Sequence, residues 1–149
     1  MMLMLVSRPV RGYVSALASA GLPVDEALVA SARYDRESAY DAMNRLLDLT
    51  APPTAVLCTD NVLASGAYRA AQDRGLRMPA DLSLVGFDDE PWTTLVRPEL
   101  TIVEQPTYEL GARAGRQLLD RITAGDASRR PQHIQLRAKL VARGSTVPR

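Results

Sequence analysis

An aromatic ring, several carboxylates and a carboxamide stand in this chain where short apolar runs end. Tyr34 follows one such run, Thr59-Asp60-Asn61 follows a second, and Asp88-Asp89-Glu90 follows a third. A ring beside carboxylates and an amide suits a polyhydroxylated ligand. The ring covers apolar C–H faces, and the oxygens accept hydrogen bonds from hydroxyls. Each position also has a plainer use. Asp60 can cap a following helix, Tyr34 can pack as an ordinary aromatic, and three consecutive acids can form a solvated turn.

Catalytic readings find less support. A nucleophilic serine or cysteine needs an imidazole as its base, and the one histidine, His133, lies far in sequence from every acidic candidate and is expected at the surface. Cys58 ends the apolar run Val56-Leu57-Cys58 and reads as a small buried hydrophobe rather than a reactive thiol. One cysteine and one histidine leave no spacing for a thiolate or imidazole metal site and no intrachain disulfide. No glycine-rich phosphate loop follows any strand. The expectation is a binding protein, not an enzyme, with no cofactor and no metal.

The elements that must position these groups follow from periodicity and punctuation. Val10, Tyr13, Val14 and Leu17 recur at helical spacing over residues 9–20, with Pro9 in the first turn and Gly21 just past the end. Residues 27–32 read as a buried strand. Asp35 then caps a helix that presents Tyr40, Met43, Leu46 and Leu47 and stops before Pro52-Pro53. Residues 54–58 form the next strand, Thr59 or Asp60 caps a helix carrying Leu63, Ala67, Ala70 and Ala71, and Gly75 closes it. Ser83 to Phe87 is a third strand. After Pro91 and Pro98 come an extended segment at residues 100–103 and a longer helix running from Pro106 to Gly125. The alternation of Ile134, Leu136, Ala138 and Leu140 predicts a half-buried strand over residues 133–142. Strands alternating with amphipathic helices give an α/β fold, a parallel sheet with helices on both faces. Ligands of such sheets bind outside the carboxyl ends of the strands, where Tyr34, Asp60 and Asp88 stand.

At 149 residues, with 46% hydrophobic and 23% charged residues, the chain suits one globular domain. Eighteen Lys+Arg against 17 Asp+Glu, interspersed in sign, form no electrostatic footprint for nucleic acid. The apolar opening at residues 1–6 is too short for a membrane span, has no basic flank before it and leads to Ser7-Arg8-Pro9 without a cleavage signal. A cytoplasmic location is therefore expected.

Several stretches resemble the sensor domain of LacI/GalR-family transcriptional regulators. These are residues 53–61 (PTAVLCTDN), Ala64, Gly66-Ala67, Gly75-Leu76-Arg77-Met78-Pro79, residues 81–89 (DLSLVGFDD), Pro98-Glu99-Leu100-Thr101, Gln105-Pro106, Leu110-Gly111, Leu118-Leu119 and residues 140–146 (LVARGST). The resemblance covers nearly the whole chain. It implies a type I periplasmic-binding-protein-like fold of two subdomains that close around a small effector, joined to a separate amino-terminal helix-turn-helix reader. Residues 8–103 and 132–143 would belong to the carboxyl-terminal subdomain, and residues 106–125 to a helix of the amino-terminal one. The motifs begin after the reader and after the first half of the sensor. The chain is thus expected to be an incomplete sensor, its amino-terminal subdomain largely missing, that meets operator DNA only through a helix-turn-helix it does not itself carry.

The same resemblance implies that Tyr34, Asp60 and Asp88 contact the effector, a sugar or similar small polar metabolite, and that sensors pair as homodimers; Asn61, Gln105 and Arg8 are the further candidate ligand contacts. Two departures stand out. The family's effector-binding arginine lies three residues before the glycine of the first helix, where this chain has Pro9, with Arg8 displaced by one. Its usual Asn-Asp order reads Asp60-Asn61, which puts a pure acceptor where an amide would stand. A solute-binding protein of the same fold and a truncated product without function are the alternatives.

Overall fold

In the computed structural model, which describes residues 2–5, 10–124 and 132–147, short apolar strands and capped helices alternate from end to end. The elements are β1 (Met2–Leu5), α1 (Val10–Ser19), β2 (Val29–Ser31), α2 (Arg36–Leu47), β3 (Ala55–Cys58), α3 (Asn61–Asp73), β4 (Ser83–Phe87), α4 (Trp92–Leu95), β5 (Thr101–Glu104), α5 (Thr107–Ala124) and β6 (Lys139–Val141). A single 3-10 turn, Glu26–Leu28, leads into β2, so the strand expected over residues 27–32 starts later than its apolar run.

The helix starts obey side-chain chemistry. Asp35 caps α2 by accepting from the Ser38 amide at 2.7 Å, and Asp60, rather than Thr59, caps α3 by accepting from Val62 at 2.7 Å. At the other end of α3, Gly75 adopts φ 68° while its amide donates to Gln72 O and the Leu76 amide donates to Ala71 O. That paired closure needs a left-handed residue, which glycine supplies without a Cβ penalty.

The sheet order is β2-β1-β3-β4-β5-β6. All pairs are parallel except β5 with β6, which is antiparallel, so the expectation of a parallel sheet holds for every strand but the last. The run at residues 2–5, which periodicity alone left unassigned, is a strand in the sheet, with Met4 opposite both Ala30 and Cys58. Four apolar residues are enough for a strand flanked on both sides.

Alternation along β3 divides the molecule into layers. Val56 and Cys58 join the main core with Met43, Leu46, Leu63, Ala67, Leu84 and Ile102, beneath α2 and α3. Leu57 points to the other face, where Tyr13 and Leu17 of α1 pack with it and with Val29. The two helices over the main core approach closely at Gly66. A Cβ there would collide with the Arg36 carbonyl oxygen and lie 2.7 Å from Ala39 Cβ, so only glycine fits.

One expected element is corrected. Of the half-buried strand read over residues 133–142, only Lys139–Val141 pairs, and residues 132–138 have no strand partner among the described residues. Leu140 is 63% exposed and Ile134 42%. Alternation describes how side chains would face if a ladder formed, and a ladder needs a neighbouring strand to receive its hydrogen bonds. Pro9 and Gly125, read as the first and last markers of two helices, lie outside the described residues.

Candidate ligand-binding site

Parallel strands β2, β3, β4 and β5 all end on one edge, and the residue types singled out in the sequence follow those ends directly. Tyr34 comes after β2, Asp60 and Asn61 after β3, Asp88 after β4 and Gln105 after β5. Five of the six expected site residues therefore share an edge. Arg8 lies outside the described residues.

Asp60 does two things. Its Oδ1 accepts from the Val62 and Leu63 amides, the cap that starts α3, and its carboxylate also acts on the Tyr34 phenol. The phenol's pKa is raised above the ordinary value first by the Asp60 charge, then by a hydrogen bond to Asp60, with smaller contributions from burial, Asp88 and Glu90. Three carboxylates from two strand ends thus act electrostatically on one phenol, whose residue is itself 65% exposed. The plainer reading of Asp60 as a cap and the binding reading are both compatible with this geometry. Asn61 opens α3 half-buried, and its side chain makes no hydrogen bond within the described residues.

Asp88 is held in an unusual way. It is the only non-glycine residue with positive φ among those described, at 65°, and its amide donates to Val103 O at 3.0 Å. Its Oδ1 accepts from Gln105 Nε2 at 2.7 Å, which joins the end of β4 to the end of β5. Gln105 in turn lines a hollow of about 770 Å³ bounded by Arg11, Phe87, Leu110, Ile134 and Leu136. The volume is that of a small-molecule cleft. Arg11, on α1, brings a positive charge to this hollow and is not legible as a site residue in the sequence. Its place on the exposed side of an amphipathic helix offered no signal.

A second group, not legible in the sequence, joins residues that lie far apart along the chain. Asp89 accepts from Arg143 Nη2 at 2.6 Å and from Thr93 Oγ1 at 2.8 Å. The Asp89 carboxyl is held below its ordinary range by the Arg143 hydrogen bond first, and burial works against that. Read from sequence, Asp89 belonged to an acidic run. In the fold it is spoken for, and only Asp88 of the pair faces Gln105.

Nucleophilic chemistry has no footing at Cys58. It is fully buried, and burial, with a smaller contribution from Asp60, pushes its thiol up to about 12. His133 is exposed, as expected. Among the described residues, no group of three or more His, Cys, Asp and Glu side chains could hold a metal ion, and no helix is long and apolar enough to cross a membrane.

A doubly wound sheet with a polar carboxyl edge is one half of the architecture of periplasmic binding proteins. Residues 8–146 match the family described as periplasmic binding protein-like domain, and the chain belongs to that family. Within it, the chain stands with the LacI-family transcriptional regulators. It is 41% identical over 139 residues to the transcriptional repressor CytR of Escherichia coli K12, covering 91% of this chain and 39% of that protein. It is 38% identical over 135 residues to the repressor PurR of Yersinia pestis, again covering 91% of this chain and 39% of the relative. Among solved structures, the regulator CelR in complex with cellobiose superposes with a TM-score of 0.88 at 30% identity, covering 97% of this chain and 46% of that one. A LacI-family regulator of Enterococcus faecium with bound ribose superposes at 0.85 with 28% identity, covering 99% and 56%. The chain therefore spans about two fifths of the length of these curated relatives.

Proposed function

We propose that this chain is the effector-sensing part of a LacI-type transcriptional regulator, and that its strand-end edge holds a sugar or similar small polar metabolite. The observation that carries the reading is the convergence of Tyr34, Asp60, Asp88 and Gln105, with both carboxylates acting on the one ring and Gln105 bonded to Asp88. A stacking face flanked by acceptors matches a ligand rich in hydroxyls. Relatives solved with cellobiose and with ribose support that ligand class. Asn61, beside Asp60, and Arg8, just before α1, complete the proposed contacts.

In this proposal the sheet, residues 8–103 and 132–143 together with β1, is one subdomain, and the helix at residues 106–125 serves the other. Regulators work as cytoplasmic homodimers here, and operator DNA is met through a helix-turn-helix module on another segment. Effector binding shifts the regulator between states of different operator affinity only if the two states bind the effector unequally.

Calorimetric titration with pentoses, hexoses, disaccharides and nucleosides tests the reading, first on wild type and then on Asp88→Ala. Hydrogen bonds to a charged acceptor are worth roughly 1.5–3 kcal/mol, so the variant should bind the selected compound about ten- to a hundredfold more weakly. Equal affinity in both proteins would remove Asp88 from the site, and no heat from any compound would sink the ligand class.

A further inference from the structure

We propose that Arg143 is a positioning residue for the ligand-binding edge: by clamping Asp89 it holds the turn after β4 in the conformation that presents Asp88 to Gln105. The proposal rests on the reading of Asp88 as part of the binding edge, and it concerns a residue 55 positions away in sequence.

The turn has a problem to solve at Asp88. An L-residue enters the left-handed region at a steric cost, which aspartate bears better than most but does not escape. Something outside the residue must favour that backbone state. On one side the Asp88 amide donates to Val103 O at 3.0 Å and its carboxylate accepts from Gln105 at 2.7 Å, so β5 and the residue just after it each hold it once.

The next residue is held from a different direction. Asp89 Oδ2 takes Arg143 Nη2 at 2.6 Å, while Oδ1 takes the hydroxyl of the fully buried Thr93 at 2.8 Å. The other arm of the guanidinium, Nη1, donates to Thr93 Oγ1 at 3.0 Å and to Leu100 O at 3.2 Å. One planar fork thus ties the turn, α4 and the approach to β5 together. The fork is anchored too, because the Arg143 amide donates to Thr101 Oγ1 at 2.8 Å on β5 itself. Its side chain is 13% exposed, which leaves little water to compete. A lysine would bring a charge but not two directed arms in a plane.

Two consecutive residues, Asp88 held at the carboxyl end of β5 and Asp89 held by a fork anchored at its start, define the path of the backbone between them. Releasing Asp89 leaves Asp88 free to relax out of the left-handed region, and its carboxylate then swings away from Gln105.

The test uses nuclear magnetic resonance on the labelled chain and needs no ligand. In Arg143→Met, which keeps the aliphatic stem and removes the fork, solvent exchange of the Gln105 side-chain amide should speed up roughly tenfold, as expected for one lost hydrogen bond. The Asp89 carboxyl should titrate upward toward its ordinary range. The Ser38 amide, capped by Asp35 after β2 at the opposite end of the strand order, should be unchanged. Arg143→Lys, which keeps a charge but not the two directed arms, should speed Gln105 exchange as Arg143→Met does, and that criterion is read from it should the methionine variant not fold. Wild-type exchange at Gln105 in either variant overturns the proposal. So does an equal acceleration at Gln105 and Ser38, which would mark general loosening. A ribose titration of the same samples is a separate arm: failure of wild type to bind any sugar counts against the effector reading and leaves the clamp intact.

Discussion

Two amphipathic helices of this chain meet opposite fates. On α3, Leu63, Ala64, Ala67, Ala70 and Ala71 are fully buried against α2 and the sheet. On α5, Leu110, Leu118, Leu119 and Ile122 are 51%, 60%, 63% and 67% exposed. Both helices carry an apolar stripe and an i,i+4 ion pair, Arg69–Asp73 on α3 and Glu109–Arg113 on α5. The difference is what lies beneath. A stripe states that a face prefers a partner, while only the tertiary arrangement decides whether this chain supplies one. Among the described residues, α5 is tied to segment 132–138 by Gln117 donating to Gln132 at 3.0 Å, and both flank the hollow beside the proposed binding edge. The sealed layer is therefore the scaffold of the edge, and the bare helix is the part whose apolar face remains to be covered.

The sharpest way to break this contrast is to cut into each helix and compare. Leu63→Ala should cost about 2–5 kcal/mol, the usual range for a fully buried leucine whose neighbours cannot collapse into the space. Gly66→Ala should cost about 1–3 kcal/mol or more, because the added methyl meets the Arg36 carbonyl, a backbone atom that cannot rotate away. Urea unfolding followed by circular dichroism measures both. A loss below half a kilocalorie in either variant would show that the α2–α3 layer is looser than its burial indicates.

The same contrast marks how far the sequence could be read. From Asp35 to Phe87 the elements were legible because caps, a closing glycine and an apolar period agreed, and each had a neighbour in the same stretch of chain to pack on. The strand ends then placed Tyr34, Asp60 and Asp88 on one edge without any coordinates. Within residues 133–142 the alternation extends further than the ladder: Lys139–Val141 pair with β5, and residues 133–138 have no strand partner among the described residues. The strand at residues 2–5 has no legible signal because four apolar residues are too few to show a period, and only pairing with β2 and β3 on either side defines them as a strand. Arg143 was invisible as a partner of Asp89, since nothing local links an arginine to an acid 54 residues earlier.

Smaller effects sharpen the picture at the edge itself. Asp60→Ala should destabilise the chain by about 1 kcal/mol through loss of the α3 cap. It should also let the Tyr34 phenol fall back toward its ordinary value, since the Asp60 charge and hydrogen bond are the leading causes of its elevation. Denaturation and a Tyr34-resolved pH titration report the two consequences separately. A cap loss without movement of the phenol would confine Asp60 to structure.

Cys58 gives a pH-dependent test of the sealed layer. Its thiol is raised from about 9 to about 12 in the fold, so the folded state disfavours the thiolate that the unfolded chain forms readily. The contribution is fully present below pH 9 and is lost as pH rises from there through about 12. Stability should decline in that alkaline window, and Cys58→Ala should decline less steeply though it starts lower. Equal slopes would mean that the thiol is not desolvated.

The smallest expected change is on the bare helix, and its smallness is informative. Leu118→Gln on α5 removes apolar surface that is mostly in water already, so little buried contact is lost and no cavity forms. Surface substitutions of this kind usually stay within about 0.5 kcal/mol, and urea unfolding should not separate the variant from wild type. Uncovered apolar surface has another signature, the capture of an environment-sensitive hydrophobic dye. Leu118→Gln, and more strongly its combination with Ile122→Gln, should lower that fluorescence while leaving the unfolding midpoint in place. The same pair in the sealed layer, for instance Leu63→Gln, should do the reverse, raising dye binding as the layer opens. If Leu118→Gln instead cost as much as Leu63→Ala, α5 would be covered in solution by something that this chain or a second copy supplies, and the contrast between the two helices would disappear.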